Sequence, residues 1–193
     1  MPPIVKPTRA DARRNYERIV AAASEAIAER GADASLDDIA KRAGVGPGTL
    51  YRRFPTRQHL LDAVFHERIV RLRDEAARLP EEEPDPAAAL EAWLRAFIEH
   101  LRRYRGLSDA LKAIYDKSDE LMVDTGTMLR WSVGTLLDRA QAAGVARTDI
   151  DRIDLLRVAH GTGMVCDPGP DGDERAERLV RLLMDGVRTT TRS

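Results

Sequence analysis

The chain has 193 residues, of which 43% are hydrophobic and a third charged, with a formal net charge of −1. That length supports one helical domain or a small domain joined to a larger one, and no apolar run approaches the roughly 20 residues of a membrane helix or resembles an export signal. Cys166 is the only cysteine, which excludes an internal disulfide and a thiolate zinc cluster and makes a reducing cytoplasm the expected compartment.

The near-zero net charge hides an asymmetry. Residues 1–78 carry fifteen Lys/Arg against eleven Asp/Glu, and the remainder sixteen against twenty-one. Lys6, Arg9, Arg13 and Arg14 at the start form either an arm that reaches phosphates or a disordered, proline-punctuated tail. A first helix is predicted over Asp11–Arg30, with Ile19, Ala22, Ala23, Ala26 and Ile27 inward and Gly31 closing it.

Ser35 then caps a second helix, and Asp38 stands three residues on, where the reciprocal partner of a capping box belongs. Leu36, Ile39, Ala40 and Ala43 recur at helical spacing, and Gly44 stops the run because glycine takes the left-handed backbone without a steric penalty. A third helix follows almost at once, with Gly46 as N-cap, Pro47 at the first position and Val45 placed to staple onto Leu50. Leu50 and Phe54 hold it inward. Its other face presents Pro47, Gly48, Thr49, Tyr51, Arg52 and Arg53, a small, hydrogen-bonding and basic surface near the end that meets base edges in a helix-turn-helix.

After Pro55, Thr56 caps a long fourth helix with Leu60, Leu61, Val64, Phe65, Ile69 and Leu72 as its stripe, expected to end before Pro80. Pro80 to Pro86 reads as an acidic linker in which Asp85 and Pro86 form the N-cap and first position of the next helix. About five helices are expected beyond it. The first carries Trp93, Leu94, Phe97, Ile98 and Leu101, and a shorter second carries Leu107, Leu111, Ile114 and Tyr115. A third spans Asp119–Ala143, and a fourth starts from a capping box of Thr148 with Asp151. The loop Cys166–Asp173 separates these from a last helix, Arg175–Thr189.

The spacing of Ala40, Gly44, Val45, Gly48, Thr49, Tyr51 and Phe54, followed by Thr56, Arg57, Leu60 and Leu61, closely resembles the DNA-binding signature of the tetracycline-repressor (TetR) family of transcriptional regulators. The resemblance implies an all-α fold of about nine helices. Residues 1–55 would form a three-helix DNA-binding domain and residues 56–193 a helical bundle for ligand binding and dimerisation, with the helix 56–79 connecting the two. By the same resemblance Thr49 and Tyr51 contact bases and phosphates, and Arg57 stands where the family usually has a phosphate-binding lysine. Arg52 is the candidate for a bidentate contact to a guanine, while Arg53 meets either a phosphate or solvent. Ser35 and Lys41 are further phosphate candidates, Ser35 through the amides of a helix N-terminus.

Trp93, Phe97, Leu111, Tyr115, Met122, Met128, Trp131, His160 and Met164 lie on the helices that enclose the family's effector cavity, and each is either a pocket or a core residue. Leu155, Val158, Ala159, Leu179, Leu182, Leu183 and Val187 are interface candidates for a homodimer, with ordinary internal packing as the alternative for each. The partners so implied are a double-stranded, pseudo-palindromic DNA operator, a small-molecule effector of unknown identity and a second copy of the chain, with no membrane, cofactor or metal.

Catalysis finds no support in the motifs. No glutamate has a histidine three residues later, and there is no His-Glu-x-x-His, phosphate loop or Gly-x-Ser-x-Gly elbow. The competing class is a helical ligand-binding or protein-interaction module with a vestigial helix-turn-helix. It predicts no salt-dependent, sequence-selective DNA binding.

Overall fold

The computed structural model describes residues 10–30, 34–103, 120–167 and 169–189. Among them the chain is all-helical, with eight helices and a single isolated bridge between Ala146 and Arg188. The helices are α1 (Ala10–Arg30), α2 (Leu36–Ala43), α3 (Pro47–Arg53), α4 (Arg57–Glu82), α5 (Pro86–Arg103), α6 (Glu120–Ala142), α7 (Arg152–Val165) and α8 (Pro170–Val187). The short helix expected around Leu107–Tyr115 lies outside the described residues.

Contacts divide the chain into two compact units, one of residues 1–68 with 103–125 and one of residues 69–102 with 126–193. In the first, Tyr16, Ile19 and Ile27 of α1 share a core with Ile39, Leu50, Phe54, Leu60 and Val64, all but excluded from solvent. The local signals work as their chemistry requires. Ser35 Oγ accepts from Asp38 N at 3.4 Å, and Gly44 is left-handed at φ 62°, so that its own N–H and that of Val45 close on Lys41 O and Ala40 O at 3.1 and 3.0 Å. Asp38 does not complete the capping box, because its carboxylate pairs with Arg30 at 2.7 Å.

The second unit contains most of the departures from expectation. Helix α4 does not stop before Pro80 but runs to Glu82. A proline so near a helix end removes only one hydrogen bond, that to Ala76 O, and just past the end Arg139 of α6 donates to Glu83 O and Pro84 O at 3.1 and 3.0 Å. Helix α7 is capped by Asp151 and not by Thr148, the carboxylate accepting from Ile153 N and Asp154 N at 2.6 and 2.9 Å. Helix α8 begins five residues before Arg175 and ends at Val187, two residues short of Thr189. Pro170 opens it, Asp171 and Asp173 complement the positive end of the helix dipole, and Gly172 is buried against the chain leaving α7. A Cβ at Gly172 would collide with Asp167 O. Buried Arg102 of α5 secures that junction, with bonds to Asp167 O at 3.0 Å, Asp173 at 2.5 Å and Glu99 at 2.7 Å.

Candidate nucleic-acid interface

Helix α3 is only seven residues long, so its position depends on what anchors it. Leu50 and Phe54 are fully buried, and the Phe54 ring lies 5.7 Å from that of Tyr16. The Arg53 guanidinium sits over the other aromatic partner, 5.5 Å from the Tyr16 ring centroid, a cation–π contact between α1 and α3. Burial, with Glu67 adding and Arg53 opposing, pushes the Tyr16 phenol up to about 12, so it stays neutral.

Several other cations near the motif are engaged. Arg18 of α1 donates to Gly44 O at 3.3 Å across the turn, and Arg42 forms a two-pronged pair with Glu29 at 2.9 and 2.5 Å. That pair lowers the Glu29 carboxyl's pKa and raises the Arg42 guanidinium's, chiefly through the hydrogen bond between them. Arg57, expected at a phosphate, donates through Nη1 to buried Ala34 O at 2.9 Å, one residue before the Ser35 cap. Arg52 and Lys41 are exposed and form no ion pair or hydrogen bond among the described residues.

Beside Arg52 the surface is open. Pro47 and Gly48 are exposed, Thr49 is half-buried, and Tyr51 is 46% exposed. A Cβ on Gly48 would meet nothing within 4 Å, so no packing inside the chain requires glycine there. A small residue on an outward helix face allows close approach by another surface. Ser35 is exposed, with its hydroxyl oxygen occupied as the cap acceptor of α2. Tyr16 and Arg18 lie outside the motif that the sequence displays. Tyr16 was detectable, lying three residues before Ile19 on the inward face, whereas nothing local marks Arg18.

In the second unit Trp93 and Phe97 are fully buried and stacked, with centroids 5.4 Å apart and rings 17° from parallel, and Trp93 Nε1 donates to Leu72 O at 2.9 Å. Met128, His160 and Met164 are half-buried, and burial lowers the pKa of His160. Trp131, by contrast, is 45% exposed on α6 and so is not enclosed by the bundle in this chain. Leu111, Tyr115 and the side chain of Met122 lie outside the described residues. Of the interface candidates, Leu155, Ala159 and Val187 are buried within the chain, Leu179 and Leu183 are half-buried, and Val158 and Leu182 are 52% and 69% exposed. All except Ala159 line a groove of about 350 Å³ along α7 and α8. No described helix is long and apolar enough to cross a membrane.

Residues 19–64 match the family model described as bacterial regulatory proteins, tetR family, and residues 85–189 match that of the transcriptional regulator SbtR-like C-terminal domain. The chain is similar to the TetR transcriptional regulator SCO0520 of Streptomyces coelicolor, with 39% identity, a TM-score of 0.73, and coverage of 91% of this chain and 99% of that one. It is also similar to a TetR regulatory protein of Mycobacterium vanbaalenii, with 33% identity, a TM-score of 0.68, and coverage of 95% and 100%. A fatty acid metabolism regulator protein of Bacillus subtilis is 33% identical over 95 residues, 49% of this chain and 47% of that protein. The chain spans between about a third and half of the length of the curated relatives it matches.

Proposed function

The chain belongs to the TetR family of bacterial transcriptional regulators, and from that premise we propose that it is a homodimeric repressor that leaves its operator when a small molecule binds. The observation that carries the DNA-binding reading is Arg52, an exposed guanidinium on α3 with no internal partner among the described residues, next to a glycine that packing does not require. A guanidinium so placed can bond O6 and N7 of a guanine together, which gives sequence discrimination, while Lys41 and the α2 N-terminus meet phosphates and set the register. Tyr51 and Thr49 add contacts on either side.

One seven-residue helix reads few base pairs, so a specific site needs two half-sites about 34–36 Å apart and a two-fold protein to match them. Exposed Val158 and Leu182, together with the groove between α7 and α8, support a second copy of the chain as the partner. Release follows as a population shift: an effector that binds one arrangement of the bundle more tightly draws the protein toward it, and toward a recognition-helix spacing that no longer fits the operator. The similarity to a fatty acid metabolism regulator makes fatty acids the first effectors to screen.

The test is selection of bound duplexes from a random DNA pool by purified protein at near-physiological salt. Recovery of one pseudo-palindrome supports a sequence-specific dimer and supplies the duplex for effector screening by release. A folded, ligand-free sample that enriches nothing would leave the protein-interaction module as the better reading.

A further inference from the structure

Between α1 and α3, within the first unit, lies a cleft of about 180 Å³ bounded by Asn15, Tyr16 and Ile19 on one side and Thr49, Arg52 and Arg53 on the other. No carboxylate lines it, and two guanidinium groups do. The side chains of Asn15 and Thr49 are half-buried and have no hydrogen-bond partner among the described residues, although each can donate. Polar groups drawn partly out of water without a partner lose hydrogen-bond energy, so their convergence on a cationic cleft marks it as built for an acceptor-rich anion. The Tyr16 phenol is neutral and adds no negative charge.

Resting on the DNA-binding reading above, we propose that this cleft seats one backbone phosphate of the operator, with Asn15 Nδ2 and Thr49 Oγ1 as donors and Arg52 and Arg53 supplying the positive field. Helix α1 thereby becomes a second DNA-contacting element, and Asn15 a binding residue that no motif marks. The phosphate sets how deeply α3 enters the groove, which leaves the Arg52 guanidinium to the base edge. Contact to a phosphate carries no sequence information, so its loss weakens every duplex alike.

The test uses full-length protein and the selected operator, a random duplex, and operators with a neutral methylphosphonate at each backbone position in turn. Asn15→Ala is expected to weaken operator and random duplex by similar factors, roughly tenfold for each half-site and so roughly a hundredfold for the dimer. Asn15→Lys is expected to tighten both and to steepen the slope of log K against log salt by about 0.9 per half-site, or about 1.8 for the dimer. One methylphosphonate position per half-site should erase the difference between wild type and Asn15→Ala. Operator selection by wild type with unchanged affinity and salt slope in both variants, each retaining its melting temperature, would overturn the phosphate seat and leave the regulator reading intact. Failure of wild type to select any duplex would overturn both. Inorganic phosphate shifting the Asn15 side-chain amide resonance without DNA, with no methylphosphonate position coupled to Asn15, would assign the cleft to a free anion and overturn the operator assignment.

Discussion

Two glycines with similarly close neighbours should respond differently to alanine. A Cβ at Gly163 of α7 would lie 2.6 Å from Leu101 Cβ, 3.0 Å from Leu101 Cδ1 and 3.3 Å from Ile98 O, all in α5. Carbon atoms pack comfortably at about 3.5–4.0 Å, so α7 or the fully buried Leu101 must give by about 1 Å, and overpacking of this kind costs about 1–3 kcal/mol. Against that stands a gain of about 0.5–1 kcal/mol for replacing glycine by alanine within a helix. The net for Gly163→Ala is a loss of up to about 2.5 kcal/mol, or a melting temperature lower by up to roughly 10 °C in a chain of this size. At Gly134 of α6 the added Cβ would approach Arg152 Nη1 to 2.8 Å, but that atom ends a flexible side chain in a 3.6 Å, half-exposed pair with Asp138. Such a pair is worth about 0–1 kcal/mol, so Gly134→Ala should be neutral or slightly stabilising. Thermal and urea unfolding at one fixed protein concentration measures both variants. A Gly163→Ala protein at least as stable as Gly134→Ala would refute the claim that the α5–α7 approach depends on the missing Cβ. In addition, Leu101→Ala should cost slightly less in the Gly163→Ala background than alone, since it removes Leu101 Cδ1, at 3.0 Å, while keeping the nearer Cβ.

Arg52→Ala should leave the melting temperature unchanged and reduce discrimination between operator and random duplex by roughly 5- to 100-fold, whereas Arg57→Ala should lower it by about 2–4 °C through loss of the bond to Ala34 O. The reverse pattern, measured by melting and duplex titration, would exchange the two roles. Because burial holds the His160 pKa below its usual 6.5, the unfolded chain binds the proton more readily. Its contribution to stability is therefore full above that value and falls as pH drops below it, until the native group is itself protonated. His160→Gln should flatten the decline in melting temperature between about pH 7 and pH 5, and an unchanged profile would exclude this histidine as its source. On the dimer proposed above, wild type should sediment as a dimer and Leu182→Glu as a folded monomer at the same concentration, and a persistent dimer would place the contact elsewhere.

The parts of this protein settled by the sequence are those whose physics acts within one helical turn. Ser35 caps α2 with its own neighbour, Gly44 closes it in the left-handed region, Pro47 opens α3, and the spacing from Ile19 to Ile27 buries one face of α1. Each depends on residues a few positions apart, which a linear pattern displays. Tertiary structure decided where the charged side chains go, because a long side chain chooses among partners that sequence distance conceals: Arg53 lies over Tyr16, Arg57 reaches Ala34, Arg18 reaches Gly44, and Asp38 leaves its cap for Arg30. It also overruled local punctuation. Arg139 satisfies the carbonyls beyond Pro80, and Arg102 with Gly172 packs the first turn of α8 into what reads as a loop. Proline and glycine set only the local cost of continuing a helix, and distant side chains that satisfy the exposed backbone decide whether that cost is met.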